Sequence, residues 1–172
     1  ADALPPEVRA KAKICVLDAV ANALGGHDWP WTLLARRTAS TIGGPGPATI
    51  WGTAQTATTA EAAFANSAAA HSLFHEDMHM ESQSHFGTIV VSAALAHAES
   101  AGSSGDELLT AVVAGYEVGG RVGKCIVGEH FNQGGYRPSG TFGPLASAAA
   151  VGKLLGLSAD GMANALGMAA NL

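Results

Sequence analysis

The sequence of 172 residues contains few aromatic and few charged side chains. Aromatic residues make up 6% of the chain and charged residues 13%, whereas 48% of the residues are hydrophobic. A core with so few rings must be built mainly from small aliphatic side chains, and the abundant alanine and glycine suit helices packed at close range. The low charge content also implies that much of the surface is covered, either in an oligomer or by another domain.

Other scarcities exclude whole classes of function. The net charge is −5 and no basic run occurs, which argues against nucleic acid or an anionic membrane as a partner. No stretch approaches the roughly 18 uninterrupted apolar residues of a membrane-spanning helix, and no signal peptide is visible. Cys15 and Cys125 are too few for a disulfide framework and are typical of reduced thiols. We therefore expect a cytoplasmic protein.

The hydrophobic pattern predicts one all-α domain over residues 1–172, because almost every segment has helical periodicity and nothing indicates an extended sheet. The predicted helices cover residues 5–24, 30–42, 58–73, 87–101, 104–122, 141–155 and 158 onward, with a glycine-rich loop at 128–140. Two helix starts match the capping box, Thr58 with Glu61 and Ser104 with Glu107. The first helix is predicted to bury one face, formed by Val8, Ile14, Leu17, Val20 and Leu24.

Titratable side chains are concentrated between His71 and His85. This segment (HSLFHEDMHMESQSH) holds four of the 7 histidines and three of the 14 acidic residues. The rest of the chain is mostly alanine, glycine, leucine and valine, so the concentration predicts a functional site here.

One interpretation of this segment is a zinc site. His75-Glu76-Asp77-Met78-His79 matches H-E-x-x-H, and His85 occupies the position of a third ligand. On a helix, His75 and His79 would share a face and Glu76 would act as the base of a hydrolase. However, Ser82 replaces the glycine of the longer motif, and so short a pattern occurs by chance. A zinc-dependent hydrolase through His75, Glu76, His79 and His85 stays as an alternative, and we expect no metal.

Several segments occur together in a characteristic order. They are residues 4–25, beginning LPPEV; 50–52 (IWG) with 62–66 (AAFAN); 71–87, ending HFG; 107–121 (ELLTAVVAGYEVGGR); 135–143 (GYRPSGTFG); and 153–157 (KLLGL). Together they resemble the MmgE/PrpD family, which includes 2-methylcitrate dehydratase, cis-aconitate decarboxylase and iminodisuccinate epimerase. The resemblance implies a helical domain that precedes a smaller α+β lid domain. Family chains are more than twice this length, so it also implies an N-terminal portion from which the lid is absent.

The sequence departs from the family pattern at the implied site. The family usually has Asp where Phe74 stands, Thr at Met78 and His at Arg137, and the segment from His71 to His85 contains an extra residue. A catalytic lysine of the family lies beyond the end of this chain.

The resemblance implies a cofactor-independent lyase, a dehydratase or decarboxylase in preference to an epimerase, acting on a small di- or tricarboxylate. Its chemistry is proton transfer at a carbon next to a carboxylate. His85 suits the acid/base role because imidazole titrates near about pH 6.5. Asp77 is expected to orient it or to act as a base, with a pKa raised by the adjacent Glu76. Glu76 and His79 are further catalytic candidates.

Substrate binding is assigned to the loop near residue 137. Arg137 can clamp a carboxylate in bidentate fashion, Ser139 offers a hydroxyl donor, and Tyr136 is expected to line the same wall. His71 is a further binding candidate, although a buried, hydrogen-bonded helix position is its simpler interpretation. We expect a homodimer or a companion chain that carries the missing lid domain. A non-catalytic or half-site subunit that needs such a second chain is the other alternative.

Overall fold

The computed structural model describes residues 4–128, 131 and 133–171. Within these residues the chain is all-α, as predicted, with one short antiparallel ladder. Its elements are α1 (Pro6–Gly25), α2 (Pro30–Ile42), β1 (Ala48–Thr49), β2 (Thr56–Ala57), α3 (Thr59–Ala70), a π-helical turn (Gly87–Val91), α4 (Ser92–Ala101), α5 (Gly105–Ile126), α6 (Pro138–Leu154) and α7 (Ala159–Ala169). None of the described helices is both long enough and apolar enough to cross a membrane.

Helices α5 and α6 form the most extensive helix pair, and a row of glycines allows it. Gly115, Gly119 and Gly123 follow one another at four-residue spacing along α5, so they share a face. A Cβ atom at Gly119 would lie 2.6 Å from the Phe86 ring and 2.8 Å from Cβ of Ala146. The two helices therefore pack at a separation that only glycine permits on this face.

Alanine, not leucine, forms most of the core around α1. Ala19 and Ala23 are fully buried, as are many of the residues that pack with them: Ala69, Ala70, Phe86, Val90, Val91, Ala94, Val112, Phe142, Ala146 and Ala150. The predicted buried face of α1 is wrong at Ile14, Leu17 and Leu24, which are exposed, whereas Val20 packs against the core. Ile14 and Leu17 are 58% and 68% exposed, because the helix packs through its small residues and turns its larger ones outward.

Two helix boundaries differ from prediction in ways that shape the site. Helix α3 ends at Ala70, because the Ser72 hydroxyl donates to the Ala69 carbonyl at 2.6 Å and takes up a bond of the last turn. Helix α6 begins at Pro138 instead of near residue 141, since proline suits the first turn and holds Arg137 in an extended conformation. Of the predicted 128–140 loop, residues 129, 130 and 132 lie outside the described residues. Because α3 ends at Ala70 and the π-helical turn begins at Gly87, residues 71–86 form an irregular loop.

The two capping-box predictions have different outcomes. The Ser104 hydroxyl accepts from the Glu107 amide at 3.3 Å, and the Glu107 carboxylate accepts from the Ser104 amide at 2.7 Å, which confirms the box at the start of α5. Thr58 is the N-cap of α3, but its side chain makes no capping hydrogen bond. The sequence thus predicted both N-cap residues correctly, but the hydrogen bonds of the capping box form only at the start of α5.

Candidate active site

The loop between α3 and the π-helical turn has a tightly specified backbone. Phe74 and Gln83 have φ angles of 59° and 51°, in the left-handed region that favours glycine. His79 and Ser84 pair their backbones in antiparallel fashion, with an amide-to-carbonyl distance of 2.8 Å in one direction. Non-glycine residues persist in this region only where the surrounding structure fixes them, and such strain is concentrated at functional sites.

The carboxyl group of Glu76 lies between two imidazole rings. Its side chain is completely buried. The Oε1 atom accepts a hydrogen bond from Nδ1 of His71 and lies 3.4 Å from Nδ1 of His85. The His71 and His85 rings are 5.5 Å apart and meet edge-on. Oε1 of Glu76 thus interacts with both imidazole rings.

Glu76 remains acidic despite its burial. Burial by itself disfavours the charged form, but the hydrogen bond with His71 and the proximity of both imidazoles lower its pKa below the ordinary value. Its second oxygen, Oε2, is buried without a hydrogen-bond partner among the described residues. The site therefore holds a buried negative charge at neutral pH.

The hydrogen bonds of His85 define its tautomer. Nδ1 is 3.2 Å from the Asp77 carbonyl oxygen and 3.4 Å from Glu76 Oε1. Both are acceptors, so Nδ1 of the neutral ring carries the hydrogen and Nε2 keeps the free lone pair. The ring is 13% exposed, so the base is sheltered but accessible.

The hydrogen bonds of the Asp77 carboxyl group go to Tyr116 and Gly87 and not to His85, which was its predicted partner. Oδ2 accepts from the Tyr116 hydroxyl at 2.7 Å, and Oδ1 accepts from the Gly87 amide at 3.1 Å. Burial, and secondarily the charge of Asp18, raise the pKa of Asp77, whereas Glu76 was the expected cause. Burial and the nearby Asp77 carboxyl in turn raise the pKa of Tyr116. Asp77 joins the loop to α5 and to the start of the π-helical turn.

His79 lies away from the Glu76 cluster. Its Nδ1 is 2.8 Å from the Ser82 hydroxyl, and its ring packs beside Gly120 and 6.0 Å from the Phe86 ring. The H-E-x-x-H residues lie in the loop and not on a helix, so His75 and His79 do not share a helical face. No group of three or more His, Cys, Asp or Glu side chains in the described ranges could hold a metal ion. The geometry of the zinc alternative is therefore not formed.

A cleft of about 970 Å³ opens above the two imidazoles. It brings together five predicted site residues: His71, Glu76, His85, Arg137 and Ser139. Asp77, His79 and Tyr136 do not line it, and Tyr136 instead has its ring against Phe131. The remaining lining residues are Ala63, Phe64, Ser67, Ala68, Phe74, Met78, Gln83, Thr88, Ile89, Ala93, Pro138, Gly140 and Ser147.

The first turn of α6 connects the polar wall of the cleft to His85. The Ser139 hydroxyl oxygen accepts from the His85 amide at 2.9 Å, across 54 residues of sequence. Arg137 also lines the cleft and is the N-cap residue of the same helix, whose first turn carries the positive end of the helix dipole. This wall is suited to an anion.

Several residues that line the cleft were not predicted as site residues, although the sequence contained signals for them. Phe64, Ser67 and His71 follow at helical spacing along α3 and its end, so a predicted site at His71 also indicates the first two. Thr88 lies one turn after His85 and donates to its carbonyl at 3.0 Å. Phe74 and Met78 were noted as departures from a family pattern, but not as walls of the cleft.

Comparison with known proteins gives consistent relatives. The sequence is 34% identical over 173 residues to the cis-aconitate decarboxylase of Aspergillus terreus, an alignment that covers 98% of this chain and 35% of that protein. It is 32% identical over 173 residues to the cis-aconitate decarboxylase-like protein oryM of Aspergillus oryzae, covering 96% of this chain and 36% of the relative. The chain thus spans about 35% of the length of these curated relatives.

The match to a protein family is of full length. The profile described as the MmgE/PrpD N-terminal domain matches residues 1–172. The all-α fold and the named relatives agree with it. The chain therefore belongs to the MmgE/PrpD family of dehydratase- and decarboxylase-type lyases, as its N-terminal helical domain.

Proposed function

We propose that the protein containing this chain is a cofactor-independent lyase that transfers a proton at a carbon next to a carboxylate of a small di- or tricarboxylic acid. The observation that carries this proposal is the buried Glu76 carboxylate between two imidazoles, in one cleft with Arg137. The relatives named as cis-aconitate decarboxylases favour the carboxy-lyase form of the reaction. Because the chain spans about 35% of their length, the activity is proposed for the complete gene product.

His85 is the proposed acid/base. Its Nε2 takes a proton from the substrate carbon, or returns one to the carbanion left when a carbon–carboxylate bond breaks and carbon dioxide departs. Protonation of Nε2 makes the ring an imidazolium, whose charge is balanced by the Glu76 carboxylate 3.4 Å from Nδ1. A buried counter-charge acts strongly here, because little water screens it.

Arg137 and Ser139 are the proposed carboxylate-binding groups. The guanidinium supplies two parallel donors, and the first turn of α6 adds its dipole. Negative charge that develops next to the bound carboxylate is stabilised by the same wall. The substrate therefore lies between His85 and the start of α6.

The test uses the complete gene product and a panel of di- and tricarboxylic acids that includes cis-aconitate. Proton NMR in deuterium oxide detects product and also exchange at the carbon next to the carboxylate. We expect turnover or exchange with at least one acid, and a fall in kcat/KM of about 100-fold or more in His85→Asn. His97→Asn, on α4 and outside the cleft, is the matched control and should keep wild-type activity. No exchange across the panel, or an unaffected His85→Asn, contradicts the proposal.

A further inference from the structure

Phe74 has the most unusual position among the residues of the cleft. A bulky aromatic residue rarely adopts a positive φ, yet Phe74 has a φ of 59° and its side chain is 58% exposed. Its ring centroid lies 4.9 Å from that of His71 and 5.1 Å from that of His85. The fold thus maintains strain and exposes an apolar ring directly beside the two imidazoles, where a substrate meets the base.

Phe74 is one of four large apolar residues that line the cleft and are together called its apolar side here. Phe64 is 51% exposed and Met78 is 43% exposed, and both line the same cleft with Ile89. Large apolar side chains so exposed inside a cleft mark a binding surface for a hydrocarbon group, because covering them removes apolar area from water. The same cleft is also lined by Arg137 and Ser139, so its lining combines large apolar side chains with polar groups.

The described part of the cleft contains one fixed positive charge that can bind a carboxylate. Among the described lining residues, Arg137 is the one permanently cationic side chain, and Glu76 is a buried anion. A carboxylate placed on the apolar side would lose water without gaining a partner, which is costly. A hydrocarbon group in the same place gains from burial.

We propose that the substrate carries a hydrocarbon substituent longer than methyl near its reacting carbon, and that Phe74 is the specificity-determining residue that holds it. This inference rests on the proposed lyase function and names its substrate class: an acid anchored by one carboxylate at Arg137, with an alkyl chain across Phe74, Phe64 and Met78. The alkyl chain covers the strained ring and places the reacting carbon beside His85.

The test measures binding, so it does not depend on turnover. The complete gene product is titrated by calorimetry with succinate and its 2-methyl, 2-propyl and 2-hexyl derivatives, which are saturated and lack a reactive bond. We expect affinity to rise about two- to fourfold for each added methylene until the apolar side is covered. An affinity that is equal along the series, or no binding of any member, overturns the inference.

Variants identify the residue responsible. Phe74→Gly removes the ring and suits the positive φ, so it should stay folded while the dependence on chain length falls by at least half. Phe74→Tyr keeps the wall and should keep the dependence. Met80→Ser, in the same loop, 73% exposed and outside the cleft, is the control and should equal wild type. Phe74→Gly with the full wild-type dependence also overturns the assignment.

The two proposals fail separately. Unsaturated acids with the same substituents are assayed for turnover beside the binding series. If unsubstituted acids are turned over and chain length has no effect, the proposed hydrocarbon substituent is contradicted and the proposed lyase activity is retained. If longer chains bind more tightly but no acid shows turnover or exchange, the proposed lyase activity is contradicted and the proposed apolar binding site is retained.

Discussion

Glu76 and Asp77 are neighbours in sequence, but their carboxyl groups have opposite environments. Glu76 faces two imidazoles, which lower its pKa in spite of burial, while burial raises the pKa of Asp77. A lowered pKa means that the folded state binds the proton less tightly than the unfolded state. Its contribution to stability is then present above the ordinary value of 4.5 and is lost as pH falls through the folded pKa. For Asp77 the sign is reversed, and its contribution is lost as pH rises through the folded pKa.

We predict that Glu76→Gln lowers the free energy of unfolding by about 1–3 kcal/mol at pH 7, because a hydrogen bond to a charged group becomes a weaker neutral one. The difference from wild type should shrink as pH falls through the lowered folded pKa of Glu76, below which the wild-type side chain is also protonated. For Asp77→Asn the sign is opposite, so its free energy of unfolding should increase relative to that of the wild type as pH rises. Urea unfolding at several pH values measures both differences.

Glu117→Gln is the control for these variants. Glu117 forms an exposed ion pair with Arg121 on α5, and such pairs contribute about 1 kcal/mol or less. Parallel pH profiles for Glu76→Gln and Glu117→Gln would show that the buried carboxylate has no special environment.

At the level of single elements, α5 shows how spacing sets packing. Gly119→Ala should lower the free energy of unfolding by about 1–3 kcal/mol, because its Cβ would lie 2.8 Å from Cβ of Ala146 on α6 and force α5 away from that helix. Gly167→Ala on α7 is the matched control. No atom lies within 4 Å of a Cβ there, so the better helix propensity of alanine should stabilise the helix by about 0.5–1 kcal/mol. Thermal unfolding measures both, and a neutral Gly119→Ala contradicts the close packing.

The two helix starts with capping-box sequences allow a second comparison of elements. Ser104→Ala should cost about 1 kcal/mol, because it removes the hydroxyl that accepts from the Glu107 amide. Thr58→Ala should cost only a few tenths of this, since the Thr58 side chain makes no capping bond. Denaturant midpoints of the two variants decide the matter. Equal losses would mean that the hydroxyl of Ser104 is not what stabilises the start of α5.

The sequence predicted the helices better than their buried faces, and the reason is physical. Hydrophobic periodicity marks large aliphatic residues, and on α1 these are Ile14, Leu17 and Leu24, all exposed. The true contact face is made of Ala12, Cys15, Ala19 and Ala23, whose small size gives a weak signal. Local patterns also cannot show that Asp77 and not Glu76 faces Tyr116, because residues 71–86 have no regular period. That choice depends on strained φ angles and on partners 39 residues away.

At the scale of the whole molecule, the site combines segments that are distant in sequence. His85 and Ser139 are joined across 54 residues, and only the packing of the π-helical turn and α5 against α6 brings them together. Sequence alone named His85, Arg137 and Ser139 as site residues, and the cleft contains all three. It did not find the apolar side with Phe64, because an exposed phenylalanine has no distinguishing pattern before the cleft is seen.

Because α1 packs through its small residues, its larger apolar side chains form an outer face. Ile14, Leu17 and Leu24 lie on one side of the helix and are 58%, 68% and 47% exposed. Clustered apolar side chains of this kind mark surfaces where another protein packs. We therefore propose that this face of α1 is covered by a second copy of the chain.

For the 172-residue chain by itself, this face predicts self-association that depends on concentration. The double variant Ile14→Glu with Leu17→Glu should shift sedimentation velocity toward the monomer, because two charges oppose contact between apolar faces. Its free energy of unfolding should change by about 0.5 kcal/mol or less, since both side chains are already exposed. Met80→Glu, on a loop remote in sequence from α1 and 73% exposed, is the control for added charge. If Met80→Glu dissociates the chain as effectively as the double variant, net charge is the cause and the face of α1 is not the contact.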